Sequence, residues 1–194
     1  GAGSARATLA IGGKTEDGNV YARDVSRPMV FALESTLVDD LKRPAGELRQ
    51  KDIFEFRTFT VLSLDVTRGG QTYTFTRQGA TGDAAPGNWT LTKPADKALD
   101  ATKANDMLTN FSSLRADSFI DAPGAGDETT ITATFGPATA PKAETLTFRV
   151  IPAKGKDGKV TVNAMRKGEK GGMVLSALDF DKAMAIFKEL TGGK

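Results

Sequence analysis

The sequence predicts an α+β protein in which an antiparallel β-sheet unit followed by an amphipathic helix occurs three times. Short runs of alternating apolar and polar residues, separated by turn residues, are typical of half-buried antiparallel strands. Three other stretches carry apolar residues at helical spacing, and each follows a group of such strands. A helix stripe and a sheet face both need a partner to be buried, so we expect each helix to pack on one face of its sheet.

The first unit is predicted over residues 1–56. Asp17-Gly18 lies between the first two apolar runs and favours a hairpin, because Gly tolerates the positive φ that such turns need. Ser35 or Thr36 is the expected cap of a helix whose inner face carries Leu37, Val38 and Leu41. The predicted strands are 8–11, 20–23 and 29–33, and residues 52–56 close the unit.

The second unit is predicted over residues 57–122. Residues 61–66 and 72–76 alternate on either side of a turn that contains Gly69-Gly70. A loop over 79–87 leads to a strand over 88–92. A helix capped near Asp100 follows, and its apolar stripe consists of Ala104, Met107, Leu108, Phe111 and Leu114.

The third unit is predicted over residues 123–194, after a Gly- and Pro-containing linker at 122–127. Its strands are expected over 129–135, 144–151, 160–165 and 173–178, with a turn at Asp157-Gly158 that repeats Asp17-Gly18 of the first unit. Asp179 is the expected cap of the last helix, and Gly192-Gly193 the expected end. The inner face of this helix should carry Phe180, Ala183, Met184, Phe187 and Leu190.

The composition excludes several kinds of chemistry. Of 194 residues, none is Cys or His, which removes thiolate nucleophiles, imidazole-based triads and metal sites built from these residues. The 26 basic residues balance 24 acidic ones and do not form blocks, so no nucleic-acid partner is expected. We therefore predict a non-enzymatic protein without catalytic, cofactor-binding or metal-binding residues.

The sequence contains no apolar run of the roughly 20 residues that a membrane-spanning helix needs, and no signal peptide. It begins Gly1-Ala2-Gly3-Ser4 without a Met, which is typical of a processed end or a cloning remnant. We expect any membrane anchor to lie outside these residues.

Most of the chain resembles a bacterial family called domain of unknown function 4340. The resemblance is carried by residues 61–94, by Leu114-Arg115-Ala116-Asp117 after the second helix, and by Ile11–Lys14, Val20–Arg23 and 41–54 in the first unit. The third unit contributes least. The resemblance implies a membrane-anchored protein whose bulk lies outside the cytoplasm, in the periplasm or cell envelope. It also implies a protein partner in a membrane complex, since relatives are associated with ABC-type export and gliding-motility systems. The family has no established catalytic residues to transfer.

Trp89 and Tyr73 are the candidate ligand-binding residues. Trp89, the sole Trp, is predicted on a short strand after the 79–87 loop. If exposed beside Tyr73, its ring can stack on a sugar or peptide; if buried, it is a core residue, the alternative we favour.

Two other features were considered as sites. The acidic pairs Asp39-Asp40, Asp121 with Asp127, and Asp179 with Asp181 offer two carboxylates each, as glycoside hydrolysis requires. Asp39 and Asp40 point in different directions on a helix, so they do not share a site. Asp179 and Asp181 suit helix capping, and Asp121 and Asp127 flank a linker where polar residues are expected. The basic stretch 154–159, with Arg166, Lys167 and Lys170, is interpreted as solvated hairpin tips, with contact to anionic lipid as the alternative.

The sequence thus leads to three functional hypotheses. The first is a binding or assembly module outside the cytoplasm, auxiliary to an ABC-type transport complex. The second is a carbohydrate- or peptide-binding domain that uses Trp89 and the neighbouring loop. The third is a hydrolase dependent on a pair of carboxylates.

Overall fold

The computed structural model describes residues 8–44, 47, 49–79, 88–153 and 159–192. The chain divides into two compact units, Gly1–Arg49 and Gln50–Lys194. The described residues form three α-helices and twelve strands, which are arranged in two antiparallel sheets. The predicted α+β class is confirmed.

The first compact unit is a three-stranded meander followed by a short helix. Its elements are β1 (Leu9–Lys14), β2 (Val20–Asp24), β3 (Val30–Leu33) and α1 (Ser35–Leu41). The Asp17-Gly18 turn is confirmed: the Gly18 N–H donates to the Thr15 carbonyl over 3.1 Å, and Gly18 has a φ of 81°.

The predicted cap of α1 is wrong, and its predicted inner face is correct only for Val38. The residue before the helix is Glu34, whose side chain makes no capping hydrogen bond. Val38 is buried, but Leu37 and Leu41 are exposed. This helix has only seven residues, or about two turns, and it buries one of its three apolar side chains.

The second compact unit is built on one nine-stranded antiparallel sheet. Its strands are β4 (Val61–Arg68), β5 (Gln71–Arg77), β6 (Trp89–Lys93), β7 (Lys97–Ala98), β8 (Ser118–Ile120), β9 (Asp127–Phe135), β10 (Lys142–Ile151), β11 (Thr161–Arg166) and β12 (Gly172–Ser176). They lie in the order β7-β6-β5-β4-β9-β10-β11-β12-β8. A short 3-10 turn (Thr58–Thr60) precedes β4, and the helices are α2 (Ala101–Ser112) and α3 (Ala177–Thr191).

Each of the three helices follows a run of consecutive antiparallel strands: β1 to β3, β4 to β7, and β9 to β12. This agrees with the layout read from the sequence, while the division into repeats at 1–56, 57–122 and 123–194 stays a prediction. Residues 50–56 belong to the second compact unit. Phe54 and Phe56 are buried there, with ring centroids 5.9 Å from Phe148 and 6.3 Å from Phe135 respectively.

The core of the second unit lies between α2, α3 and one face of the sheet. Phe180 of α3 stacks on Phe148 of β10 at 4.9 Å, and Phe111 of α2 meets Phe54 edge-on at 6.2 Å. All ten residues of the two predicted helix stripes are buried, so both stripes are confirmed. The helical period therefore located this core correctly.

The capping predictions have different outcomes for the two long helices. Asp100 caps α2, and its carboxylate accepts the N–H groups of Thr102 at 2.8 Å and Lys103 at 3.1 Å. Asp179 does not cap α3. Ser176 is the N-cap and accepts the Asp179 N–H, which places Asp179 inside the first helical turn. Gly192 ends α3 in the left-handed conformation, as expected.

The segment predicted as a linker crosses the sheet. It connects edge strand β8 to β9, which lies beyond β12, β11 and β10 in the strand order. A Cβ on Gly126 would lie 2.0 Å from the Val150 carbonyl oxygen, and one on Gly124 would lie 3.1 Å from Ile151 Cδ1 and 3.6 Å from Asn163. The two glycines therefore allow a close backbone approach, and Asn163 beneath them is buried.

Candidate functional site

A cleft of about 820 Å³ lies in the second compact unit. One wall is the segment Asp52–Arg57, here called the strap, and the other is the end of α2. The side chains that give the cleft its chemistry are Asp52, Glu55, Arg57, Phe59, Ser112 and Arg115. The cleft is therefore mostly polar, with one exposed aromatic ring.

The strap is held to the chain after α2 by a short antiparallel pairing. The Ile53 N–H donates to the Leu114 carbonyl at 3.1 Å, and the Ala116 N–H donates to the Lys51 carbonyl at 2.7 Å. Arg115 and Asp52 form an ion pair of 2.9 Å across this pairing. Two charged groups of the cleft thus neutralise each other.

The strap is also held to the sheet by a buried ion pair. The Glu144 carboxylate accepts the strap N–H groups of Glu55 at 2.9 Å and Phe56 at 3.2 Å, and it accepts Arg166 Nη1 at 2.6 Å. Arg166 in turn donates from Nη2 to the Ile53 carbonyl at 2.9 Å. Burial raises the pKa of Glu144 above its usual range, against the opposing effects of these N–H groups and of the arginine charge.

The interpretation of Arg166 as part of a solvated tip is wrong. Its side chain is only 15% exposed, because it reaches from β11 to Glu144 on the neighbouring strand β10. Lys167 and Lys170 are exposed, as expected, whereas residues 154–158 lie outside the described residues. The sequence analysis missed Glu144, although a signal existed: Glu144 is in phase with buried Leu146 and Phe148 on the strand, and an inward carboxylate needs a buried partner.

Trp89 and Tyr73 lie on the helix-covered face of the sheet. Trp89 is 1% exposed, its indole N–H donates to Asn105 of α2 at 3.3 Å, and Arg77 lies 5.6 Å from its ring centroid. Tyr73 is partly buried and meets Phe187 of α3 edge-on at 5.1 Å. The core role that was favoured for Trp89 is confirmed, and Tyr73 also packs against the core. Their ligand-binding role stays a prediction, and it requires the covering residues to move.

The six carboxylates of the three predicted acidic pairs are all exposed. Asp40 pairs with Arg43 at 2.6 Å, and Asp179 pairs with Lys182 at 3.4 Å, each within a single helical turn. Within the described ranges, no group of three or more His, Cys, Asp or Glu side chains is arranged to hold a metal ion. These carboxylates are therefore solvated, and two of them form ion pairs with a nearby basic residue of the same chain segment.

The sheet face opposite the helices is lined with hydroxyl groups that hydrogen-bond across the strands. Thr74 donates to Asp65 at 2.6 Å, and the hydroxyl oxygens of Thr132 and Thr145 are 3.0 Å apart. The pair Thr67 and Thr72 repeats this pattern at 2.8 Å. This face is polar and its groups satisfy one another, so it offers little apolar area to a partner.

The exposed apolar surface is concentrated in the first compact unit. Of eleven exposed large apolar side chains among the described residues, eight belong to this unit. Four of them lie on β2, β3 and the turn between them and form what we call the hairpin patch: Tyr21 (49% exposed), Val25 (53%), Met29 (69%) and Val30 (59%). Arg23 lies opposite Val30 in the sheet, on the same face of β2 as Tyr21.

The hairpin patch follows from the alternation of β2. Val20 and Ala22 point to one face and are buried, so Tyr21 and Arg23 point to the other and are exposed. Tyr, Met and Arg are residue types enriched in protein interfaces. The sequence analysis did not single out these residues, although the alternation of β2 is visible in the sequence.

The fold and these surfaces describe an α+β protein with exposed apolar side chains in its first compact unit and without an assembled metal centre among its described residues. The family model described as "Domain of unknown function (DUF4340)" matches residues 2–136. The chain belongs to this family. The match ends directly after β9, so the strands β10 to β12 and helix α3 lie beyond it. No curated protein and no solved structure matches the chain significantly. In the described part of the chain, no helix is long and apolar enough to cross a membrane.

Proposed function

We propose that this protein is a non-catalytic binding and assembly module that works outside the cytoplasm as an auxiliary part of a membrane complex. The complex we propose is an ABC-type transport system, as the family resemblance suggests. The observation that carries the binding role is the hairpin patch. Four large apolar side chains, each 49–69% exposed, lie together on one strand pair and its turn.

The size of the exposed fractions supports binding to a protein. Burying a side chain such as Met29 or Val30 against a partner contributes about 1.5–3 kcal/mol for a full burial, and several such residues around one Arg make an effective interface centre. The neighbouring Arg23 adds a charged donor that can pair with a carboxylate of the partner.

The experiment is affinity capture from native membranes with the full-length protein, followed by mass spectrometry. The test variant carries Tyr21→Ser and Met29→Ser, and the matched control carries Leu178→Ser, which removes a 64% exposed side chain from the second compact unit. We expect wild type and control to recover the same transporter subunits, and the double variant to lose them. Equal recovery by all three proteins, or the absence of envelope components from the wild-type sample, contradicts the proposal.

A further inference from the structure

We propose that the outer edge of β1 pairs with β1 of a second copy of this chain, in a two-fold antiparallel ladder centred on Ala10. This inference concerns self-association and does not depend on the proposed membrane partner. It is carried by the backbone of one strand, by the position of an irregularity in it, and by the side chains on either side.

The edge is open in the described structure. β1 pairs with β2 on one side, no described strand pairs with its other side, and all six of its residues are exposed. The remaining sheet edges are shorter: β3 has four residues, β8 three and β7 two. Short edge strands are a common protection against strand addition, and β1 lacks that protection.

The direction of the backbone groups follows from one hydrogen bond. The Thr8 carbonyl accepts the Val25 N–H at 2.9 Å, so the polar groups of Thr8 point towards β2. Because these groups alternate along a strand, those of Ala10 also point towards β2, and those of Leu9 and Ile11 point to the open edge. The open edge therefore presents two N–H and two C=O groups.

An irregularity fixes which register a partner strand can adopt. The pairing of β1 with β2 shifts between Ile11 and Lys14, so the regular part of the strand ends near Gly12. A two-fold axis at Ala10 places Leu9 opposite Ile11 of the second copy, and Ile11 opposite its Leu9. This is the register that uses all four outward backbone groups within the regular stretch.

The side chains suit this register. Leu9 is 42% and Ile11 is 40% exposed. In the ladder, Leu9 of each copy packs beside Ile11 of the other copy, so both side chains become more buried. At the axis the two Ala10 residues form a pair without hydrogen bonds, where Cα atoms approach to about 4.5 Å and a small side chain is favoured. The surface area buried by so short a ladder lies below the roughly 1,200 Å² that stable interfaces bury. The dimer should therefore form reversibly and depend on concentration.

The experiment uses a single introduced cysteine, since the chain has none of its own. Ala10→Cys places two thiols opposite each other at the axis, within the distances that a disulfide spans. Ala32→Cys is the matched control, because Ala32 is an exposed alanine on β3. We expect the full chain with Ala10→Cys to form a disulfide-linked dimer under mild oxidation, and the control to stay monomeric on a non-reducing gel.

A second variant separates strand pairing from chance collision. Adding Ile11→Lys to Ala10→Cys puts a charge beside the axis, and we expect the dimer band to be lost while circular dichroism stays unchanged. Wild-type protein should show a rising mass with concentration in light scattering. Equal crosslinking of the two single-cysteine proteins, or crosslinking that persists with Ile11→Lys, overturns the proposal.

Discussion

Glu144 and Arg166 form a buried ion pair of 2.6 Å between neighbouring strands of the large sheet, and both side chains also hold the backbone of the strap. Glu144 accepts strap N–H groups, and Arg166 donates to a strap carbonyl. Arg166 has two further carboxylates nearby, Glu169 at 3.3 Å and Glu55 at 3.5 Å. The pair therefore fixes one wall of the cleft.

The first prediction compares two substitutions of Glu144. Glu144→Ala leaves the Glu55 and Phe56 N–H groups without their acceptor, which should lower the free energy of unfolding by about 1–3 kcal/mol. Glu144→Gln keeps one acceptor oxygen for the strap N–H groups, but its amide NH2 replaces the oxygen that accepts Arg166, so this variant should lose less stability than Glu144→Ala at pH 7. Urea unfolding measures both. Equal, large losses for the two variants would show that the charge itself is what stabilises the strap.

The second prediction concerns the pH dependence of the same pair. The pKa of Glu144 is raised in the folded protein, so its contribution to stability is fully present below the unfolded value of about 4.3. That contribution is lost as the pH rises through the folded pKa. The stability of wild type relative to Glu144→Gln should therefore fall as the pH rises from about 4.3 through the raised folded pKa of Glu144. A relative stability that rises over this range would indicate a lowered pKa and a dominant arginine charge.

The third prediction tests the segment that crosses the sheet. Gly126→Ala forces a Cβ against the Val150 carbonyl at 2.0 Å, and we expect a loss of about 1–3 kcal/mol or more in unfolding free energy. Gly124→Ala is the control, because its Cβ meets the end of the Ile151 side chain at 3.1 Å, which can turn away. Thermal unfolding should rank Gly126→Ala well below Gly124→Ala. Similar melting temperatures would mean that this segment does not pass so close to β10.

The fourth prediction uses Trp89 as the only tryptophan. Because the ring is 1% exposed, its fluorescence in the native protein should resist quenching by iodide and become quenchable on unfolding. Asn105→Ala removes the acceptor of the indole N–H and should lower stability by about 1 kcal/mol without exposing the ring. Strong quenching of the native protein would show that the Trp89 ring is accessible to solvent and therefore to a ligand.

The fifth prediction concerns the second compact unit on its own. Every member of its main hydrophobic cluster lies between Ile53 and Leu190. A fragment of residues 50–194 should therefore fold and unfold cooperatively, with a melting temperature close to that of the same unit in the full chain. A fragment without a cooperative transition would show that the first unit is needed for folding.

The long, strongly periodic elements of this fold could be predicted from the sequence. The stripes of α2 and α3 have four or five apolar residues at helical spacing, and the alternation of β4 and β5 is regular, so one structure satisfies each pattern. The prediction of Asp179 as the cap of α3 is wrong because Ser176 and Asp179, three positions apart, are both good capping residues. Which of them begins the helix depends on where β12 ends.

The candidate surfaces were harder to predict. The ion pair joins residues 22 positions apart on two strands, and the register between those strands decides whether they meet. The cleft depends on the strap. The strap is held by single hydrogen bonds and by Glu144 and is neither a helix nor a regular strand, so its sequence shows no periodic pattern that would predict its position. The hairpin patch was readable from the strand alternation, but exposure of its residues depends on what else covers that face, and one sequence does not contain this information.

The most direct test of the binding role is photo-crosslinking from the hairpin patch in native membranes. A photoreactive amino acid at position 29 reports on the patch, and the same residue at position 178 reports on an exposed site of the second unit. We predict a discrete adduct from position 29 with a membrane-transport component, and none from position 178. The same adducts from both positions, or none from position 29, would contradict the assignment of the hairpin patch as the interaction surface.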